Sequence, residues 1–139
     1  MGKATYKILP ECKLIIEKFD GIFSLEAYEK MKTEEFANPE FNSGFNVLAD
    51  LRKASFGTQL NSSEKEMTLI SRFLIGEKDK IGKRKSAILT EKPDQVVCSI
   101  LFMESVKPLP VIVESFSTVE AALKWLGIKD NQDCINELL

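Results

Sequence analysis

The sequence predicts an α/β protein with a single, mostly parallel sheet of about five strands and four helices. Three observations support this fold class. The run Phe45–Leu51 is almost entirely apolar and breaks at Asp50, as expected of a strand buried in the middle of a sheet. After it, helical segments of roughly 10 to 13 residues alternate with strands, which favours right-handed crossovers. Before it, the short connection Pro10–Cys12 requires its two flanking strands to be antiparallel.

In the first half of the chain, two strands precede a helix and the central strand. The predicted elements are the strands Tyr6–Leu9 and Lys13–Phe19 and a helix from Leu25 to about Ala37. Asp20-Gly21 is typical of a turn and ends the second strand. Ser24 is a suitable cap for the helix, and Asn38-Pro39 ends it.

The second half continues as helices and strands within the same single domain, residues 1–139. A loop with an exposed Phe56 spans Arg52–Asn61, and Ser63 with Glu66 forms a capping box for the next helix. The predicted elements are the helix Glu64–Ile75, the strand Ser86–Thr90, a helix from Pro93 through Met103, the strand Val111–Glu114 and a helix ending at Trp125-Leu126. Gly76 and Gly127 stop two of these helices. The tail, 129–139, is predicted to add a short helix or to fray.

Composition excludes several classes of function. There is no histidine, so Ser-His-Asp and Cys-His triads and an imidazole general base cannot form within this chain. Cys12, Cys98 and Cys134 lie far apart without a Cys-x-x-Cys pair, which indicates reduced thiols and no zinc ribbon. A net charge of −2 gives no general attraction to nucleic acid. We therefore predict a non-enzymatic protein with no metal, no cofactor and no nucleic-acid partner.

The closing segment, Val111–Leu126, resembles a known family. It combines a strand, Phe116, a Ser/Thr cap and a helix with the pattern Ala-x-x-Trp-Leu. Together with a central strand ending at Asp50, it resembles the SpoIIAA-like family of the STAS-like group, and the architecture is similar to lipid-carrying Sec14-type domains. The resemblance implies a βα superhelix in a bacterial protein without established catalytic activity. In some members it also implies a hydrophobic cavity connected with lipid or membrane contact.

The same resemblance provides an alternative function. Anti-anti-sigma factors of this group carry a phosphorylatable serine directly after the acidic residue of the central strand. Here Asp50 is followed by Leu51-Arg52-Lys53-Ala54, and Ser55 stands in what is predicted to be a longer loop. Ser55 is therefore the candidate phosphorylation site of a regulatory, protein-binding domain.

Two predicted helices carry wider apolar surfaces than covering a sheet requires, since a stripe of about 100° suffices for that purpose. The residues beyond such a stripe are Leu69, Ile75, Phe102 and Met103. Three explanations fit these additional apolar residues: contact between the helices inside the monomer, a homodimer interface, or a pocket for an apolar ligand.

Polar candidates adjoin these helices. The segment Lys78–Lys85 carries five basic residues and either contacts an anionic membrane surface or is a solvated connection. Asp50 lies at the carboxyl end of a central strand, where ligands of open α/β sheets bind, or else pairs with Arg52.

We therefore predict a cytoplasmic, non-enzymatic module that binds a lipid-like small molecule or an anionic membrane surface, with membrane contact only peripheral. The alternative is the regulatory domain with a protein partner, and a homodimer is compatible with both. The predicted ligand-binding residues are Asp50, Phe56, Leu69, Phe73, Phe102, Met103, Lys83 and Arg84.

Overall fold

The computed structural model describes residues 2–56 and 60–139 of the protein. Its strands are β1 (Lys3–Leu9), β2 (Leu14–Ile22), β3 (Asn46–Ser55), β4 (Arg84–Leu89) and β5 (Val111–Phe116). Its α-helices are α1 (Leu25–Ala37), α2 (Leu60–Gly76), α3 (Pro93–Ser105), α4 (Val119–Trp125) and α5 (Gln132–Leu138). Within the described residues, the strands form one five-stranded sheet in the order β1-β2-β3-β4-β5. β1 is antiparallel to β2 and all other pairs are parallel, which confirms the predicted fold class.

The strand order determines where the helices lie. Each crossover from β2 to β5 moves one strand further in the same direction, and crossovers of one hand that move in one direction place their helices on one face. Helices α1, α2 and α3 accordingly share one hydrophobic core with the sheet. We call this the front layer. Helices α4 and α5 follow the last strand and cover the opposite sheet face, which we call the back layer.

Alternation along the strands assigns each side chain to a layer, because successive residues of a strand point to opposite faces. In β4, Arg84, Ser86 and Ile88 face the front layer, whereas Ala87 and Leu89 belong to the back core. The back core consists of apolar side chains that are almost completely buried. The front core is larger and more aromatic, and it also contains ionisable groups.

The predicted helix ends are confirmed at two positions. The Ser24 side chain accepts a hydrogen bond of 3.2 Å from the Ala27 backbone N–H, and α1 ends at Ala37. Gly127 has φ of 77°, a left-handed conformation that glycine adopts easily, and its N–H donates to the Lys124 carbonyl at the end of α4.

One loop prediction and one turn prediction around the central strand were wrong. β3 continues through Ser55, because Lys53, Ala54 and Ser55 pair with the end of β2. Asp20-Gly21, predicted as a turn, lies inside β2, where the register shifts between Lys18 and Asp20. The irregularity and the φ of 80° at Gly21 allow the strand to continue through a dipeptide that usually reverses the chain.

Two further predictions need correction. Phe56 is only 8 % exposed, because its ring stacks inside the front core. Helix α2 begins at Leu60, so Ser63 lies within the helix and not at its cap. The Ser-x-x-Glu spacing fits a helix interior as well as a helix start, since residues three apart share a face. The tail forms a short fifth helix, α5, which is one of the two alternatives predicted for it, and its Ile135 is buried in the back core. The remainder of the predicted loop, 57–59, lies outside the described residues.

Candidate ligand-binding cavity

A cavity lies in the front layer, between the sheet and helices α1, α2 and α3. It offers about 80 Å³ of space to the centres of water-sized molecules. One water needs roughly 10–15 Å³ of such space, so the cavity has room for several waters or for a small organic group. Most of the side chains around it are apolar, which is typical of binding sites for small organic molecules.

One end of the cavity is aromatic. The rings of Phe23 and Phe56 stack with centroids 5.3 Å apart, and those of Phe19 and Tyr28 stack with centroids 6.1 Å apart. All four rings line the cavity. Stacked and tilted rings of this kind present rigid apolar surface.

Helices α2 and α3 supply the wall opposite the sheet. Met67, Ile70 and Leu74 have the spacing of one face of α2, and Cys98 and Phe102 have that of one face of α3. Both helices therefore present their inner stripes to the cavity.

Three ionisable side chains form a buried cluster where α1 crosses β2. Lys32 Nζ donates to Glu17 Oε2 at 2.7 Å and to Glu35 Oε1 at 3.1 Å, and all three side chains are almost fully buried. Lys32 also lies over the Phe36 ring, 5.1 Å from its centroid. Glu17 and Lys32 line the cavity, so this cluster forms a polar boundary of an otherwise apolar space.

The two glutamates of this cluster ionise differently. Burial raises the pKa of Glu35 to about 8, and the negative charge of Glu17 contributes to the rise. Burial would also raise the pKa of Glu17, but the charge of Lys32, hydrogen bonds from Glu35 and Lys32, and the charge of Arg84 lower it below its ordinary value. At neutral pH, Glu17 is therefore ionised and paired with Lys32, while Glu35 is mostly protonated.

Arg84 is the second cation of the cavity. Its side chain enters the front layer from the start of β4 and the residue is only 7 % exposed. Among the described residues, no side chain forms an ion pair with it, and its Nε and Nη1 atoms are shut off from solvent without a hydrogen-bond partner. A guanidinium is always charged in proteins, and burying a charge without a partner costs several kcal/mol by order of magnitude.

The predicted ligand-binding residues fall into two groups, of which the first lies at or beside the cavity. Phe56, Phe102 and Arg84 line it. Leu69, Phe73 and Met103 are half-buried on α2 and α3 and do not line it. Phe73 packs edge-on against Tyr28, with centroids 6.4 Å apart, and so supports the aromatic end from behind.

The second group lies elsewhere. Asp50 follows Ala49, which faces the cavity, and therefore points toward the opposite sheet face. Both of its oxygens accept hydrogen bonds of 2.9 Å from the Arg52 guanidinium, which is the alternative predicted for it. Lys83 is exposed, as is Ser55 at the end of β3.

Sequence reasoning missed the buried cluster of Glu17, Lys32 and Glu35. A signal for it was present in the sequence. Glu17 alternates with Ile15 and Phe19 and must share their face of β2. Lys32 and Glu35 fall on the face of α1 that carries Tyr28 and Met31. Charged residues at inward positions are uncommon, and each one requires a partner.

A tightly bonded amide fixes the start of α3 beside the cavity. The buried Gln95 side chain donates to the carbonyls of Arg52 and Ala54 at 3.2 and 2.9 Å, and accepts from the backbone N–H groups of Glu91 and Lys92. Helix α3 is therefore bound directly to the end of β3. Among the side chains that the structure describes, no group of three or more Cys, Asp or Glu is placed to hold a metal ion.

Comparison with known proteins relates the architecture to a solved structure. The chain is similar to an uncharacterised protein of the DUF3478 family from Shewanella loihica PV-4, with a TM-score of 0.57, 17% sequence identity, and coverage of 90% of this chain and 93% of that one. That crystal structure is described as having a SpoIIAA-like fold. The present chain has a SpoIIAA-like fold. The sequence matches no protein-family model, and no curated protein matches it significantly.

The SpoIIAA-like fold positions the cavity described above between its first three helices and the sheet. In the part of the chain that the structure describes, no helix has the length and apolar character needed to cross a bilayer.

Proposed function

We propose that this SpoIIAA-like protein is a non-enzymatic binding module that holds an amphipathic, lipid-like small molecule in the front-layer cavity. The observation that carries the proposal is the cavity itself, which is apolar over most of its wall and polar at one boundary. Such a combination suits a ligand with an apolar body and a polar end.

Exposed apolar residues of α3 support a related role at a membrane surface. While Cys98 and Phe102 face the cavity, Val96, Val97 and Ile100 are exposed on the other side of the helix, Ile100 to 52 %. We propose that this outer stripe meets the membrane from which the ligand is taken. An interfacial helix of this type buries its apolar side chains at the boundary between headgroups and acyl chains.

The ligand-binding part is tested by filling the cavity. Ala49 faces the cavity, so Ala49→Leu occupies space that a ligand needs. We expect the wild-type protein, after extraction with organic solvent, to yield a small amphipathic molecule by mass spectrometry, and Ala49→Leu to yield much less. Ala121→Leu is the matched control, since Ala121 is exposed on α4. Equal yields from both variants, or no bound molecule in any sample, would contradict the proposal.

The membrane part is tested by liposome flotation with vesicles containing anionic lipid. Ile100→Glu places a charge in the outer stripe of α3 and is expected to reduce flotation several-fold. Ile22→Glu is the control, because Ile22 is 64 % exposed at the end of β2, outside this stripe. Failure of the wild-type protein to float would contradict the membrane role without affecting the ligand-binding proposal.

A second candidate function is regulation through a protein partner, and the position of Ser55 favours it. Ser55 is exposed at the carboxyl end of β3, and its carbonyl accepts a hydrogen bond of 2.9 Å from the N–H of Phe23 at the aromatic end of the cavity. A phosphate there would add charge beside a segment that lines the cavity. This alternative predicts a specific partner that binds wild type and Ser55→Ala but binds Ser55→Asp at least several-fold more weakly, measured by calorimetry with the purified partner. Equal affinities for all three would argue against a switch at Ser55.

A further inference from the structure

We propose that the front-layer cavity selects an anionic ligand, a monocarboxylate with a short apolar body, and that Arg84 binds its carboxylate. This inference rests on the proposed function and specifies its ligand. Three properties of the cavity lead to it: a buried cation without a partner, a charge imbalance, and a volume that fits a small acid.

The unpartnered buried cation is the strongest of these three observations. Arg84 lines the cavity, is nine-tenths buried, and has Nε and Nη1 atoms that find no acceptor among the described residues. Its own backbone is secured, since the N–H of Arg84 donates to the Pro110 carbonyl at 3.2 Å. The residue is therefore held in place by its backbone, while the Nε and Nη1 donors of its side chain remain unused. Buried polar groups in proteins are almost always hydrogen-bonded, so such a group points to a missing acceptor.

The neighbouring charges do not supply that acceptor. The charge of Arg84 helps to lower the pKa of Glu17, but the Glu17 carboxylate is bonded to Lys32. Glu35 is bonded to the same lysine, and its raised pKa keeps it mostly neutral at pH 7. Glu17 and Lys32 cancel, and one positive charge remains in the cavity. A single negative charge on the ligand would balance it.

The shape of the acceptor follows from the guanidinium. Its planar donors match the two oxygens of a carboxylate, and such pairs are among the stronger hydrogen-bonded contacts in proteins. A phosphate monoester also pairs with arginine, but its second negative charge would have no counterpart in this cavity. The carboxylate is therefore the better match in both geometry and charge.

The volume sets the size of the apolar body. With roughly 10–15 Å³ of centre-accessible space per water-sized group, the cavity accommodates on the order of five to eight non-hydrogen atoms. Hexanoate has a size at the upper end of this range. Its chain would extend from Arg84 along the apolar wall formed by Ile88, Phe102 and Met67, which line the same cavity.

The first experiment uses the wild-type protein with four six-carbon probes, namely hexanoate, 1-hexanol, hexylammonium and hexyl phosphate. Titration calorimetry at pH 7, supported by NMR chemical-shift changes, gives the affinities. We expect hexanoate to bind at least roughly tenfold more tightly than hexanol, because hydrogen bonds to charged groups are worth more than neutral ones. Hexylammonium is expected not to bind. Tighter binding of hexyl phosphate than of hexanoate would overturn the choice of a carboxylate.

The second experiment assigns the charge to Arg84. Arg84→Met removes the charge at similar volume and should weaken hexanoate binding roughly tenfold to a hundredfold, whereas hexanol binding should change much less. Lys83→Met is the matched control, since it removes one positive charge from the adjacent, exposed position and should leave both affinities unchanged. Arg84→Lys keeps the charge but loses the planar pair of donors. Its affinity for hexanoate should lie between those of the wild type and Arg84→Met.

The outcomes separate this inference from the proposed function. If neither hexanol nor hexanoate binds the wild-type protein, the proposed function fails and this inference fails with it. If both bind equally, or if Arg84→Met binds hexanoate as the wild type does, the cavity binds small molecules but Arg84 does not select an anion. Should Arg84→Met fail to fold, Arg84→Lys and the wild-type selectivity between hexanoate and hexanol decide the question.

Discussion

The two layers that enclose the sheet differ in what they contain. The back layer has an apolar core in which Leu14, Leu48, Leu89 and Ala122 have no measurable exposure, and its buried Asp50 is paired with Arg52. The front layer holds a cavity, a buried Lys32 with two glutamates, and an arginine without a partner. A solid apolar layer on one face stabilises the sheet, since burial of apolar surface is the dominant favourable contribution to folding. The other face can then contain groups that reduce stability and serve binding.

A lysine in each layer makes the difference concrete. Lys32 is buried in the front layer and bonded to two carboxylates. Lys85 extends over the edge of the back layer, where its Nζ lies 5.2 Å from the Trp125 ring and donates to the Trp125 carbonyl at 3.1 Å. Removing Lys32 would leave its carboxylate partners unpaired in an apolar interior. Lys85 is partly exposed to solvent, so its removal leaves no buried charge unpaired.

The largest effect is expected for Lys32→Met. Removing one partner of a buried ion pair leaves an unbalanced charge and typically costs about 3–5 kcal/mol. Chemical denaturation should show a loss of this size. Lys30→Met changes an exposed lysine on the same helix and should alter the free energy of unfolding by less than about 0.5 kcal/mol. Similar small losses in both variants would mean that the two layers do not differ in the way described.

Glu35→Gln should change how stability depends on pH. In the folded protein the pKa of Glu35 is raised to about 8 from an ordinary value of 4.5, so the folded state retains a proton that the unfolded state releases. The wild-type free energy of unfolding therefore contains a contribution that falls as pH rises from about 5 to 8, on the order of a few kcal/mol in total.

The glutamine variant lacks that contribution, so its stability relative to wild type should increase across the same range of pH. The lowered pKa of Glu17 and the raised pKa of Tyr28 place their ionisation outside this range. The other charged groups nearby are Lys32, within the cluster, and Arg84, whose charge acts on Glu17 and Tyr28. Denaturation curves at pH 5, 6.5 and 8 would measure the change. Glu34→Gln, at the exposed neighbouring position, should show no such trend. A constant difference between Glu35→Gln and wild type would refute the assignment of a raised pKa.

Enlarging an alanine should affect the two layers in opposite ways. Ala87→Leu overfills the back layer, where Ala87 is completely buried, and should cost about 1–3 kcal/mol. Ala49→Leu adds the same atoms toward the cavity and should be neutral or mildly stabilising. Thermal unfolding of the two variants gives the comparison directly. A comparable loss in Ala49→Leu would indicate that the front layer is as tightly filled as the back.

The smallest effect is expected for Lys85→Met. Its contact with the Trp125 ring and its hydrogen bond are only partly buried, so the loss should not exceed about 1 kcal/mol. Comparison with Lys32→Met by the same denaturation assay measures how strongly burial separates the two lysines. A loss of equal size in both variants would remove that distinction.

Most of the fold could be predicted because it depends on local patterns. Three elements have boundaries or cores that follow from residues close together in the sequence. These are the apolar run of β3, the Ser24 cap of α1 and the glycine after α4. The errors arose where pairing with a distant segment decides the structure. Asp20-Gly21 has the composition of a turn, yet alignment with the end of β3 keeps it in β2.

The candidate site was predictable only in part. Phe56 was predicted as an exposed loop residue, Phe102 from the wide apolar surface of its helix and Arg84 from a basic run, and all three line the cavity. The role of Arg84 as a buried cation was not predicted, because a run of basic residues suggests a solvated segment. Only the register of β4 shows which of these residues points inward. Likewise, Glu17 and Lys32 meet because α1 returns across β2, which no local pattern specifies.

The strand order has a consequence for how this protein could change its ligand. Folds whose strand order reverses bind ligands in loops at the carboxyl edge of the sheet, where residues vary at little cost to the scaffold. Here the order never reverses, and most of the residues that line the cavity belong to strands and helices. Altered specificity therefore requires substitutions in residues that also hold the domain together. Evolution of new ligand preferences should be tightly coupled to compensating changes elsewhere in the scaffold.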